Sequence, residues 1–135
     1  MNLFGKEHVE RYLATAGKEG HEWRNGTTIL LLFTKGRRSG KEHIHPLIYR
    51  EVDGKYVIVA SKGGSPTAPN WYQNLQADPD VEVQILDDRF AAHASTAEPD
   101  DKPKLWRLMN EVWPDYDAYQ RKTDREIPVV VLERT

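Results

Sequence analysis

The strongest signal in the chain is a run with no polar alternation. From Thr27 to Thr34 it reads Thr-Thr-Ile-Leu-Leu-Leu-Phe-Thr, and such a continuous apolar stretch predicts a strand buried on both faces. Val81–Leu86 shows the opposite pattern. Val81, Val83 and Ile85 alternate with Glu82 and Gln84, as in a strand with one face in the core and one in water. Glu42–Glu51 predicts a further strand, with Ile44, Pro46 and Ile48 on one face and His43, His45, Leu47 and Tyr49 on the other. Proline lacks the N–H that a ladder needs, so Pro46 implies an edge, a bulge or a strand start. Asp53-Gly54 is a two-residue hairpin signal that returns the chain as Lys55–Ser61, and Asp87-Asp88 turns Val81–Leu86 into Arg89–Thr96. Ile127–Leu132 is the last β-rich run.

The 3.6-residue period appears between these strands. Phe4–Ala16 predicts a short helix that packs Val9, Tyr12 and Leu13 over one end of the core, with Gly17 and Gly20 ending it. Its apolar face is thin for a membrane-surface helix. Ser65-Pro66 reads as a helix start, leading to a helix that runs to about Gln76 with Trp71 and Leu75 on one face. Lys102–Val112 spaces Leu105, Leu108 and Met109 for one face, Pro114 interrupts, and Asp115–Lys122 follows with Tyr116 and Tyr119. The sum is about six short strands, nearly all antiparallel, closed by two or three helices. Hairpin-linked strands of that kind favour a small barrel, because closure removes exposed edges.

Composition narrows the function classes. With 135 residues, 39% hydrophobic and 30% charged, the chain suits one globular domain with a real core. The formal net charge of −2 argues against a duplex-binding face and leaves any basic cluster as a local site, so nucleic acid is not expected as a partner. The sequence has no cysteine. That excludes a disulfide framework, a thiol nucleophile and cysteine metal ligands, and it fits a reducing cytoplasm. Met1–Gly20 lacks the apolar core of a signal peptide, and no run is long enough to span a bilayer.

Two loops carry candidate chemistry. Lys35–Lys41 reads Lys-Gly-Arg-Arg-Ser-Gly-Lys. Its glycines free the backbone and its arginines present planar donor forks, which together make an anion-binding turn. Ser61-Lys62-Gly63-Gly64-Ser65-Pro66 again sets glycines beside a lysine, between a strand and a helix start, an arrangement that favours anions. The two loops follow the first and third strands of a meander, so they fall at one end of the barrel. Trp113, Tyr116 and Tyr119 recur every three residues; such a stripe is more often core packing, but the break at Pro114 and the aspartates around it also fit an aromatic wall on which a flat conjugated substrate can stack. His43 and His45 have a spacing that zinc can use, but a third ligand is not evident, and they read as solvated or anion-facing. No G-x-S-x-G nucleophile motif is present, and no carboxylate pair is placed for acid–base work.

The succession Leu30–Thr34, Gly36-Arg37-Arg38-Ser39-Gly40, Pro46–Tyr49, Val59–Gly64, Pro69–Leu75 and Asp78-Pro79, closing on Arg125–Leu132, resembles the deazaflavin (F420)-dependent nitroreductase family, which includes quinone reductase-like members. The resemblance runs from about His21 to the C-terminus and implies a six-stranded antiparallel split β-barrel, similar to flavin-binding split barrels. It implies one domain over residues 1–135, with an N-terminal helix at about 4–17 and a helical lid at about 101–123. It also implies reduced F420 as cofactor and hydride transfer to a quinone, a nitroaromatic or an activated alkene. By resemblance, Gly36, Arg37, Arg38, Ser39, Gly40, Lys41 and His43 hold the phosphate and acidic tail. Ala60, Ser61, Lys62 and Gly63 line the deazaflavin, supported by Trp71 and Asn74. Ile48, Trp113, Tyr116 and Tyr119 face the acceptor, and the proton comes from Ser61, Tyr116, Tyr119 or water. His43 stands where many relatives have arginine, and Ile48 where some have tyrosine. A non-catalytic F420-binding or storage protein and an FMN-using oxidoreductase are the alternatives. Relatives include monomers and dimers, and a weak peripheral membrane contact is expected from some of them.

Overall fold

The computed structural model describes residues 3–135; Met1 and Asn2 lie outside the described residues. Six antiparallel strands close a barrel in the order β1-β2-β3-β6-β5-β4. They are β1 (Thr28–Lys35), β2 (Glu42–Val52), β3 (Lys55–Val59), β4 (Asp80–Ile85), β5 (Asp88–Thr96) and β6 (Val129–Arg134). The helices are α1 (Gly5–Thr15), α2 (Asn70–Ala77), α3 (Lys102–Val112) and α4 (Asp115–Arg121). No helix among the described residues is long and apolar enough to cross a membrane.

The unbroken apolar run becomes a strand covered on both sides. Leu30 and Leu32 point into the barrel with Ile58, Val83, Val130 and Leu132, while Ile29, Leu31 and Phe33 pack outward under Val9 and Tyr12 of α1. A second outer layer sets Val57, Val59 and Val129 beneath Met109, Tyr116 and Ile127. Trp71, Tyr72 and Leu75 of α2 join the interior cluster and stopper one end of the barrel.

The barrel is closed but split. Strand β2 pairs with β1 from Glu42 to Tyr49, yet meets β3 only at Arg50, Glu51 and Val52. The first two-thirds of β2 therefore has a neighbour on one side alone. Pro46 sits in that stretch, where a missing N–H costs no ladder bond. Strand β3 then turns to pair with β6, and the gap between β2 and the chain leaving β3 opens toward the loops at this end.

Several local expectations shift. Helix α2 begins at Asn70 with Pro69 before it, not at Ser65-Pro66, because Pro69 biases the residue before it away from helical backbone; Lys62–Gly64 takes its own 3-10 turn with Gly63 and Gly64 at positive φ. The β4–β5 turn is Leu86-Asp87, one residue early, and Leu86 accepts a φ of +57° there. Its N–H is taken by the Tyr12 hydroxyl at 2.8 Å. Gln84 is buried rather than solvent-facing. It lies opposite Leu31 on the side that α1 covers, and its amide donates to the Leu86 carbonyl at 2.9 Å. Leu13 is exposed, and His8 takes the buried place on α1 instead, with Nε2 donating to the Gly20 carbonyl at 2.8 Å. The last strand starts at Val129, two residues late, after Pro128.

Tyr12 ties these parts together. Its fully buried hydroxyl donates to the Ile29 carbonyl at 3.0 Å while accepting from Leu86. Burial pushes the phenol up to about 12, so it stays a neutral donor. Tyr12→Phe removes the partner of the buried Ile29 carbonyl and of the part-buried Leu86 N–H, and is expected to cost about 1–3 kcal/mol. Urea unfolding of the two proteins measures it.

Candidate functional site

Two cavities open along the part of β2 that has β1 alone as a neighbour. The larger, about 360 Å³, lies between His45–Ile48 of β2, Val59, the Ser61–Gly63 loop, Trp71, and the aromatic residues of the C-terminal helices. It continues to Phe4 and His8 at α1 and to Trp23. The smaller, about 240 Å³, is walled by Gly36, Arg37, Arg38 and Ser39 of the β1–β2 turn, His43 and His45 of β2, and Asn70 and Asn74 of α2. His45 lines both, so the cavities adjoin across its ring. Neither has a carboxylate in its lining. A third cleft, about 470 Å³, lies by the β2–β3 turn and the start of α3; it mixes Asp53, Glu98, Asp100 and Asp101 with Lys55 and Lys104.

The cationic turn is fixed from behind by a buried amide. The Asn74 carbonyl oxygen accepts from the Arg37 N–H at 3.2 Å and from its guanidinium at 2.9 Å, and Asn74 Nδ2 reaches Thr34 Oγ1 at 3.4 Å. Arg37 is thus docked on α2, while Arg38 is exposed and has no side-chain partner among the described residues. Gly36 lies under the Ser39 and His43 side chains. A Cβ there would lie 2.7 Å from Ser39 Oγ and 3.0 Å from His43 Nε2, so the absence of a side chain lets the His43 ring close over the turn.

The second loop is shaped by three consecutive residues at positive φ, Lys62, Gly63 and Gly64. Gly64 packs so closely that a Cβ would meet the Tyr119 carbonyl at 2.7 Å, which joins the loop to α4. Arg125 braces it from the other side. Its guanidinium donates to the Ser65 and Ser61 carbonyls, each at 2.8 Å, and to the Ala60 carbonyl at 3.3 Å. Ser61 is 8% exposed and its hydroxyl has no partner among the described residues.

Tyr116 is buried in the outer core cluster, with Trp113 and Tyr119 packed against it. Trp113, Tyr116 and Tyr119 all line the larger cavity. Trp113 Nε1 donates to the Tyr119 hydroxyl at 3.2 Å, leaving that hydroxyl's own proton free. Burial raises the Tyr116 phenol far above its usual range, so it stays protonated. Trp113 stacks on Trp23 at 5.7 Å, which brings the His21–Gly26 connector into the site. That contribution, like those of His8 and Asn70, has no local motif in the sequence.

Of the residues singled out by sequence, Gly36, Arg37, Arg38, Ser39, His43 and Asn74 meet in the smaller cavity, and Ile48, Ser61, Lys62, Gly63, Trp71, Trp113, Tyr116 and Tyr119 in the larger. Gly40, Lys41 and Ala60 line neither. Gly40 and Lys41 close the turn through backbone bonds to Gly36, and Ala60 is fully buried, its carbonyl held by Arg125. No group of three or more His, Asp or Glu suited to a metal occurs among the described residues. His45 Nε2 is buried without a partner, an unmet hydrogen bond at the junction of the cavities. Burial first, and then the His43 ring beside it, hold this imidazole down to about 4.

A family model described as F420H(2)-dependent quinone reductase matches residues 4–134. A curated F420H(2)-dependent quinone reductase of Mycobacterium tuberculosis is 41% identical over 130 residues, which span 94% of this chain and 87% of that one. The solved structure of an F420-H2 dependent reductase is similar with TM-score 0.72 and 44% identity, over 78% of this chain and 93% of its own. Another, described as a domain-swapped dimer, has TM-score 0.75 and 41% identity, over 95% of this chain and 96% of its own.

Two outcomes follow from this geometry. Arg125→Ala removes the brace on the loop, so amide hydrogen exchange at 61–64 should quicken while exchange in β1 stays unchanged. For His45, the unfolded chain takes a proton near 6.5 that the folded chain refuses until about 4. Its contribution to stability is full above that window and lost as pH falls through it. The drop in urea midpoint between pH 7 and pH 5 should therefore be smaller in His45→Gln.

Proposed function

The chain belongs to the F420H(2)-dependent quinone reductase family, and from that premise we propose that it reduces a quinone with reduced F420. One observation carries the reading: a cavity walled by arginines adjoins an aromatic cavity at one residue, His45, along an open strand edge. F420 has a flat ring and a tail bearing phosphate and glutamates, so it needs an apolar slot beside a cationic one. The donor set fits, and the unpartnered His45 Nε2 gives a buried polar contact for a ligand passing between the two.

In this reading Arg37, Arg38 and Ser39 hold the phosphate and His43 closes over it, with Lys41 near the acidic tail. Backbone N–H groups of Lys62 and Gly63 and the Ser61 hydroxyl face the ring, and Trp71 backs it. When bound, the reduced coenzyme supplies a hydride, and the protein supplies position and a dry, apolar setting. Trp113 and Ile48 orient the acceptor. The protons available to it sit on the Ser61, Tyr116 and Tyr119 hydroxyls. Nitroaromatics and activated alkenes are acceptors of the same electron demand and belong in the same assay.

Anaerobic titration of the purified protein with reduced F420, followed by a panel of quinones, nitroaromatics and enones, tests the proposal. Turnover with quinones is expected. Binding without turnover would make the protein a carrier, and turnover with FMN alone would reassign the coenzyme. Replacing both Arg37 and Arg38 by alanine removes charge-assisted contacts worth about 1.5–3 kcal/mol each, so F420 affinity should fall by at least about 100-fold. Unchanged affinity would take the turn out of the site.

A further inference from the structure

The rings of His43 and His45 lie 6.4 Å apart and 26° from parallel on one face of β2. Both line the smaller cavity, and His45 lines the larger one as well. His43 is exposed and its Nε2 faces the Gly36–Ser39 turn. His45 is half-buried, with its Nε2 unmet. The sequence treats the two as equivalent i, i+2 neighbours, but the fold gives one a solvated anion-side position and the other a dry position at the junction.

The charges around the pair are one-sided. Arg37 and Arg38 of the turn share its cavity, and Lys62 lies in the adjoining one. From α2 come Asn70 and Asn74, both uncharged. Across β1 the pair faces Thr34 and Leu32. Beyond them Lys35 lies opposite Glu42, and Glu42 is itself ion-paired to Arg89 at 3.3 Å. On the far side of the larger cavity stand His8 and the tyrosine hydroxyls of Tyr116 and Tyr119. With cations near and no carboxylate in either lining, and with burial disfavouring its charged form, the His45 ring stays neutral while the turn holds no anion. An anion in the turn reverses the balance, since it compensates both the guanidinium groups and a new imidazolium. The two rings are close enough that a charge on one opposes a charge on the other.

We propose that the stacked His43–His45 pair takes up a proton when the anionic part of the coenzyme enters the Gly36–Ser39 turn, making binding tighter as pH falls. This rests on the coenzyme reading above. It assigns His45 a place in the site as the ring that joins the phosphate end to the flat end, donating to the ligand from a nitrogen that is otherwise unsatisfied. A histidine suits such a role because its charge changes near neutral pH, where an arginine's does not.

The test is calorimetric titration with F420 near pH 6.5 in two buffers of different ionisation enthalpy, which counts protons taken up on binding. The wild type is compared with His45→Gln and with His43→Gln/His45→Gln. The coenzyme's own ionisations are common to all three proteins and cancel in the difference. The wild type should take up about half to one proton more than the double variant, and its affinity should fall more steeply with rising pH, by up to about tenfold per unit. Equal uptake and equal slopes would overturn the proposal and leave the coenzyme site standing. Failure to bind F420 at any pH would overturn the coenzyme reading, and this inference with it. Histidine-ring NMR of the wild type, with and without F420, gives the same answer if a variant does not fold: a ring that gains a proton supports the pair's role, and unchanged ring shifts contradict it.

Discussion

Everything at this end of the barrel follows from where β2 stops having a partner. A strand edge leaves backbone donors and acceptors unmatched and must be covered, blunted or used. Here the pairing with β3 is confined to Arg50–Val52, and the rest of β2 borders a cavity. Pro46 removes one of the edge donors, and the side chains that alternate along the edge serve different surroundings. Ile44 and Ile48 pack toward α1, while His43 and His45 look into the cationic pocket. A strand fully paired on both sides could not have offered a slot of this kind.

The loops that flank this opening are held from behind, which leaves their front faces free. Asn74 grips Arg37 and is anchored on Thr34. Arg125 collects three carbonyls of the second loop, and carbonyls turned back toward a guanidinium leave room for N–H groups to face forward. Burial depresses the Arg125 guanidinium's pKa, the expected result of moving a cation inward to bind backbone. Preorganisation by such partners lets a site fix a ligand without reordering itself on each encounter.

The barrel was legible because its signals are local. The Thr27–Thr34 run, the Asp53-Gly54 hairpin and the alternation of Val81–Ile85 each act within a few residues, and the order of strands follows from the turns between them. Errors arose where a distant partner decided the outcome. Gln84 reads as polar and outward, but α1 covers it. Leu13 reads as core, but the helix turns His8 inward instead, beside Val9 and Tyr12. Ser65-Pro66 has the chemistry of a helix start, yet Pro69 holds the chain extended and α2 begins only at Asn70. For the site, the glycine–arginine turn and the aromatic spacing were visible, and the residues that adjust them were not. Arg125 acts across some 60 positions of sequence, and the unmet nitrogen of His45 shows only once the chain is folded.

The central claim is that a single ligand bridges the turn after β1 and the loop after β3 across the open edge of β2. Backbone amide NMR of the labelled protein titrated with F420 measures this most directly. The account predicts that resonances of residues 36–41 and 61–64 shift together, at one saturating stoichiometry, with His45 among them. Shifts confined to one loop, or centred on the cleft beside Lys55 and Lys104, would contradict it.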